Sequence, residues 1–262
     1  MIICPNCKSK LIKLNNTYKC INNHSFDISK EGYINLLLNK PNAGDNKQMI
    51  KSRKDFLELG YFDKLLNTII EEINKLSLAN PHILDLGCAD GYYTNSISKV
   101  YPNIIGLDIS KEAIKYAAKN YKDIIFIVGN AKEIPIKNNS IDLVINIFSP
   151  LFIDEINRVL KDNSYLIKVT PNSNHMLEIK EILYDKVYLT KEKSIDDSTL
   201  LLTNEKNLSY KLKISNDDII NLFTMTPYSY KTSTQDIEKL KLITSLEVTL
   251  DFNISIYKKH SV

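Results

Sequence analysis

The sequence predicts an α/β protein, a parallel doubly wound sheet preceded by a small metal-binding module, and three observations predict it. Residues 83–91 form a short apolar run ending at Asp85, followed by a turn bracketed by Gly87 and Gly91 and a helical run at 92–99. Three more apolar runs (104–108, 126–131 and 141–146) alternate with helical segments at 110–120 and 151–160, the order that builds a parallel sheet. Cys4, Cys7, Cys20 and His24 are spaced C-x2-C-x12-C-x3-H, the arrangement of two knuckles that close on one tetrahedral ion.

Each element follows in chain order. The N-terminal module runs to residue 38, and its Cys3His set leaves no open coordination position, so zinc there is expected to be structural. No secretory signal or membrane-spanning run is visible, so a reducing cytoplasm is the expected compartment and a disulfide is not expected. Residues 39–80 read as a turn-rich linker (39–45) and a helical region (46–76) broken near Gly60, Tyr61 and Phe62. Leu65, Leu66, Ile69, Ile70 and Ile73 have the spacing of a helix that packs on a sheet.

From residue 81 the main domain begins. Glycines in a strand–turn–helix device let a ligand approach the main chain closely. Here Ala89 and Asp90 occupy the turn, and an acidic turn suits a ligand with a cationic end better than a diphosphate. S-adenosyl-L-methionine, with sulfonium and ammonium groups, is such a ligand. Asp108 ends the second strand some twenty residues on, where a carboxylate accepts from ribose hydroxyls. Asn130 and Ala131 end the third strand, where an adenine would sit. The expected core is therefore a Rossmann-like class I methyltransferase, the competing reading being a Rossmann-like domain for another nucleotide. Asn146 and Ser149, at the exit of the fourth strand, are substrate candidates, with turn and helix-entry chemistry as their alternative role. Beyond the core a helix is expected over 173–184, a strand over 207–215, a helix over 216–223 and a last strand over 246–257. Residues 185–243 carry little further pattern beyond those two and have room for a substrate element.

With 262 residues, 44% of them apolar, the chain has enough for one sizeable core plus the module, and a net charge of +3 excludes a polycation. Residues 1–62 nonetheless hold ten Lys/Arg against five acids, a distribution compatible with RNA contact and equally with a solvated lysine-rich face.

Taken together, several segments resemble the bacterial large-subunit rRNA guanine-N1 methyltransferases. They are the cysteine–histidine set, residues 24–27 and 30–37, Gly44-Asp45, Met49, Arg53, 60–62, 87–94, 107–111, Thr170-Pro171, 175–178, 225–227 and 249–254. The resemblance implies zinc on Cys4, Cys7, Cys20 and His24, and a methionine site at Ala89 and Asp90 with Asp85 and Gly87 in the same motif. It also implies Asp108 near the ribose, and Phe62 and His175 beside the cofactor. The implied partner is 23S rRNA, with no membrane, and a homodimer is compatible with it. Ala89 and Tyr230 depart from the family's more frequent glycine and tryptophan. No residue names the guanine that is modified, macrolide resistance as an outcome, or the group that takes its N1 proton. A small-molecule methyltransferase with a purely structural zinc, and a non-catalytic RNA-binding adapter, are the two competing functions. Salt dependence of substrate binding separates the first, and binding of S-adenosylmethionine the second.

Overall fold

The computed structural model describes residues 1–39, 45–187 and 195–260. Most of the turn-rich linker expected at 39–45, Gly44 included, lies outside the described residues, as do residues 188–194 of the weakly patterned stretch.

The N-terminal module is a three-stranded meander of β1 (Ile12–Leu14), β2 (Thr17–Lys19) and β3 (Ser25–Asp27). The chain then contributes β4 (Ile34–Asn35), which pairs in parallel with β7 (Ile125–Val128) and forms one edge of the main sheet. Ile2 bridges Ile136, and Ile2, Leu11 and Tyr18 share an apolar core with Ile134, Ile136 and Leu160. Module and main domain are thus joined both by backbone hydrogen bonds and by buried side chains.

Helices α1 (Lys47–Leu57) and α2 (Asp63–Lys75) follow. Asn46 caps α1 by accepting from the Met49 N–H at 2.9 Å, and the chain breaks at Gly60, whose φ of +78° ends the first helix. Leu65, Ile69 and Ile73 of α2 are buried against the sheet, as their spacing predicts.

The remaining elements are β5 (Ile83–Leu86), α3 (Tyr92–Ser98), β6 (Ile104–Asp108), α4 (Lys111–Asn120), β7, β8 (Ile141–Ile147), α5 (Ile153–Val159), β9 (Leu160–Pro171), α6 (Leu177–Leu183), β10 (Leu200–Ser215), α7 (Asn216–Thr224), α8 (Thr234–Lys241) and β11 (Ser245–Lys259). The strand order is β10-β11-β9-β8-β5-β6-β7-β4. Strands β4 to β9 run parallel, and β11 is inverted between β9 and β10. Side chains alternate between two covered faces: Ile83 and Ile145 join the α2 side, while Leu84, Leu86 and Val144 join the module side. The expected α/β fold of the class I methyltransferase type is present.

This topology positions the site. Strand order reverses between β5 and β8, and in open α/β sheets ligands bind outside the carboxyl ends of strands at such a switch point. The turn after β5 and the turn after β8 face one another there.

Candidate metal centre and cofactor cleft

Two knuckles make the metal centre. The Cys4 carbonyl accepts from the Lys8 N–H and the Cys20 carbonyl from the Asn23 N–H, with Lys8 and Asn23 in left-handed conformations. These turns bring three thiols and one imidazole to within 4.8 Å of one another. Cys7 Sγ lies 3.6 Å from Cys20 Sγ, and His24 Nδ1 lies 3.4 Å from Cys20 Sγ and 3.5 Å from Cys4 Sγ. These match the edges of a tetrahedron built on ~2.3 Å Zn–S and ~2.0 Å Zn–N bonds. Hydrogen bonding from Ser9, at 3.1 Å, pulls the Cys7 thiol down to about 5, toward the thiolate a metal requires. The donor set fits zinc, and all four expected ligands converge.

The cofactor cleft is built from the ends of β5, β6 and β8. Gly87, at φ +85°, has no room for a side chain: a Cβ there would stand 2.2 Å from Ser149 Oγ. Ser149 donates to the Leu86 carbonyl at 2.8 Å, and the Asn146 amide donates to Ser149 Oγ at 2.6 Å and to the Leu86 carbonyl at 3.2 Å. Asn146 and Ser149 therefore brace the two strand ends against each other, which is the turn chemistry the sequence left open for them.

Ala89 adopts φ +47°, a conformation that disfavours a side chain by about 1–2 kcal/mol, and its N–H donates to Asp108 Oδ2 at 3.0 Å. Asp108 Oδ1 accepts from the Ser110 N–H at 2.7 Å. Each carboxylate oxygen has a second lone pair, so Asp108 still has capacity for hydroxyl donors. The Gly129 N–H donates to the Asp108 carbonyl, which brings the third strand's exit, with Asn130 and Ala131, beside this acid. Asp85 is buried and accepts from Thr94 at 2.6 Å, while Asp90 is also buried. The acidic loop thus closes as a small, nearly solvent-free surface.

Burial pushes Asp85 up to about 7 and Asp108 up to about 6. Folded, these acids hold protons that the unfolded chain has released above pH ~4, so their burial lowers stability progressively as pH rises from 4 to 7. A ligand bearing sulfonium and ammonium groups favours the ionised carboxylates instead. Its affinity is expected to rise as pH increases through 6 to 7, by up to roughly tenfold per unit for each proton displaced. Calorimetry at pH 5.5, 6.5 and 7.5 in buffers of different ionisation enthalpy measures both affinity and proton release; a flat profile with no release rejects this expectation.

An aromatic wall bounds the cleft. Phe252 on β11 packs edge-on against Phe62 (5.4 Å between centroids), lies 4.8 Å from the His175 ring and 5.6 Å from Phe148. Phe62 and His175, far apart in the chain, are thereby brought to one surface. His175 Nδ1 accepts from the Asp251 N–H at 3.3 Å, so its proton sits on Nε2. Burial lowers the imidazole to about 3, and it is neutral at physiological pH.

Sequence reasoning missed Phe148. It takes φ +55°, rare for a bulky residue, and remains 43% exposed beside His175. The only signal in the sequence was an aromatic residue ahead of Ser149-Pro150. Phe252 appeared there only as one of the resembling residues.

A second surface flanks the cleft. Lys47, Lys51 and Lys54 of α1 line a groove of about 390 Å³ with Lys115, Lys119 and Tyr116 of α4; Ile50 and Glu112 complete it. An adjoining hollow adds Lys30, Glu31 and Lys122, continuing the basic surface onto the N-terminal module.

Residues 78–220 match the family model described as "Methyltransferase domain", and residues 2–40 match a zinc-ribbon model described as "RlmA, N-terminal". The chain is 28% identical to YxjB of Bacillus subtilis, provisionally named a 23S rRNA (guanine-N(1)-)-methyltransferase, over 99% of this chain and 97% of that one. It is 27% identical to the 23S rRNA (guanine(748)-N(1))-methyltransferase of Streptomyces fradiae, over 69% of this chain and 66% of that one. Among solved structures, the YcgJ protein of Bacillus subtilis aligns with a TM-score of 0.51 at 16% identity, over 75% of this chain and 98% of that one, a likeness of fold.

Proposed function

This chain belongs to the methyltransferase-domain family, and on that premise we propose that it transfers the methyl group of S-adenosylmethionine to N1 of a guanine in 23S rRNA. The observation that carries the reading is the joining of a zinc ribbon to a cofactor fold through one shared core, in a chain similar from end to end to a relative of that name. We read residues 1–38 as the RNA-recognition module, 39–80 as linker and helical region, and 81–262 as the catalytic domain, working in the cytoplasm. No helix among the described residues is long and apolar enough to cross a membrane.

In this reading Asp85, Gly87, Ala89 and Asp90 form the methionine side of the cleft, Asp108 meets the ribose, and Asn130 and Ala131 meet the adenine. Held by these residues, S-adenosylmethionine would supply an electrophilic methyl carbon to guanine N1, with S-adenosylhomocysteine as the leaving product and the N1 proton passed to solvent. The protein's contribution is orientation, holding acceptor nitrogen and methyl carbon about 3–3.5 Å apart. Phe62 and Phe252 make the apolar floor that excludes water. Phe148, exposed and held out by its left-handed backbone, is the platform on which an unstacked guanine rests. His175, at about 3, is too weak a base to take the proton near neutrality, so its role is to donate from Nε2 and position. The lysine groove between α1 and α4 runs from the module and suits a phosphate backbone.

Primer extension on unmodified 23S rRNA tests the reading, because N1-methylguanine stops reverse transcriptase. A single cofactor-dependent stop is expected, and its position names the guanine. In calorimetry and in RNA binding across a salt series, Lys51→Glu/Lys119→Glu should keep cofactor affinity within about twofold. It should weaken RNA binding at least tenfold and reduce the slope of log K against log salt by about two. No stop, with cofactor bound, would move the acceptor to a small molecule or another RNA.

A further inference from the structure

The acidic cleft poses a problem that its known parts do not solve. Asp85 and Asp90 suit the sulfonium and ammonium groups of S-adenosylmethionine and Asp108 its ribose, but its methionine end also carries a carboxylate, which these acids repel. Among the described residues, Arg53 is the cation that acts on Asp90 and Asp108. Arg53 of α1, which does not line the lysine groove, is paired with Asp45 and donates from Nη2 to the Met225 carbonyl, the C-cap of α7, at 3.2 Å. Asp45 in turn accepts, through its carbonyl, from Ser110 Oγ at 2.9 Å, and Ser110 donates its N–H to Asp108. The guanidinium is thus fixed next to the loop that carries the ribose acid, with a side chain only 18% exposed. Burial opposes its charge, but Asp45, Asp90 and Asp108 outweigh that and raise its pKa. Its two described partners take two of the five N–H groups a guanidinium offers.

A second observation points to the same place. The Tyr93 hydroxyl is sealed from solvent and has no hydrogen-bond partner among the described residues. Asp90 and Arg53 are among the charges that act on it. A buried hydroxyl without a partner is unfavourable unless a ligand supplies one.

We propose that Arg53 is the seat of the cofactor's methionine carboxylate, with the Tyr93 hydroxyl as a second donor. Asp45 aims the guanidinium, leaving its remaining N–H groups for the planar, two-oxygen recognition at which arginine excels. This assignment rests on the chain being an S-adenosylmethionine enzyme and adds which residues read the amino-acid end.

The test is calorimetry with S-adenosylhomocysteine and its decarboxylated analogue, which differ only in the carboxylate. The full-length protein is expected to bind the first about ten- to a hundredfold more tightly. Arg53→Met should lose that preference, weakening S-adenosylhomocysteine by the same factor and the decarboxylated analogue less than threefold. Arg53→Lys, which keeps the charge and protects the fold, should retain part of it, and Tyr93→Phe should weaken only the carboxylate-bearing ligand. Equal losses for both ligands, or no loss, in variants with an unchanged melting temperature would make Arg53 a structural lock and overturn the assignment. If the unaltered protein binds neither ligand, the methyltransferase reading itself falls with it.

Discussion

Gly87→Ala should remove measurable cofactor binding and destabilise the domain by about 2–5 kcal/mol. The two contributions are separate. A methyl group at this position meets Ser149 Oγ at 2.2 Å and Ser149 Cβ at 2.4 Å, so the turn after β8 must move. Overpacking of this kind typically costs about 1–3 kcal/mol. The backbone is also left-handed, at φ +85°, which adds about 1–2 kcal/mol for any residue with a Cβ. Moving the turn breaks the Ser149 and Asn146 hydrogen bonds to the Leu86 carbonyl, and with them the spacing of the cleft. Urea denaturation reads the stability, and calorimetry with S-adenosylhomocysteine reads the cleft. Adding Ser149→Gly should recover the packing part and leave the backbone part. Gly129→Ala, whose Cβ would stand 3.2 Å from Leu107 and 3.6 Å from Ile127 with no left-handed φ, should be mild by comparison. A Gly87→Ala protein with unaltered midpoint and affinity would mean that the two turns do not close on each other as described.

Removal of zinc should unfold the N-terminal meander. Structural zinc sites in small modules contribute on the order of 10–16 kcal/mol at neutral pH, far more than β1, β2 and β3 can supply from three-residue strands. Cys20→Ser should reduce the metal content from one ion per chain to about a tenth or less. Amides of residues 12–27 should then exchange with solvent at near-unprotected rates, while those of β5, β6 and β8 stay protected. Cofactor affinity is expected to change by no more than about threefold, and RNA affinity by at least tenfold. Persistence of slow exchange in the meander without metal would show that its packing on Ile134 and Ile136 suffices.

Much of this was legible because it is local. The cysteine–histidine spacing places four ligands within two tight turns, and Gly87, Ala89 and Asp90 lie in one uninterrupted motif. The apolar runs of β5 to β8 are buried on both faces and read as continuous hydrophobic segments. Strand β9 escaped detection because Lys161, Asp162 and Asn163 interrupt its start with polar residues, the last two exposed, and because it follows α5 without a break. The first half of β10 was missed for a similar reason: Leu201 to Glu205 are exposed on an edge, so no alternation marks them. Helix α8 buries only Leu240, too little to write a helical stripe. Arg53, Tyr93 and Phe148 acquire their meaning from tertiary neighbours. Arg53 meets Met225 from across the chain, and the exposure of Phe148 depends on a backbone conformation that composition does not encode.

The pairing of β4 with β7 carries a consequence for biosynthesis. Ile34 leaves the ribosome about ninety residues before Ile127, the residue it will lie beside. At roughly 5–20 residues per second, the metal ribbon has seconds in which to capture zinc and close before its docking strand exists. Throughout that interval β4 has no strand to pair with, and unpaired edges invite pairing between chains. A ribbon already locked around its ion can then lay β4 along the sheet's edge as soon as β7 forms. Zinc supply during translation would therefore govern how much of this protein reaches its folded form.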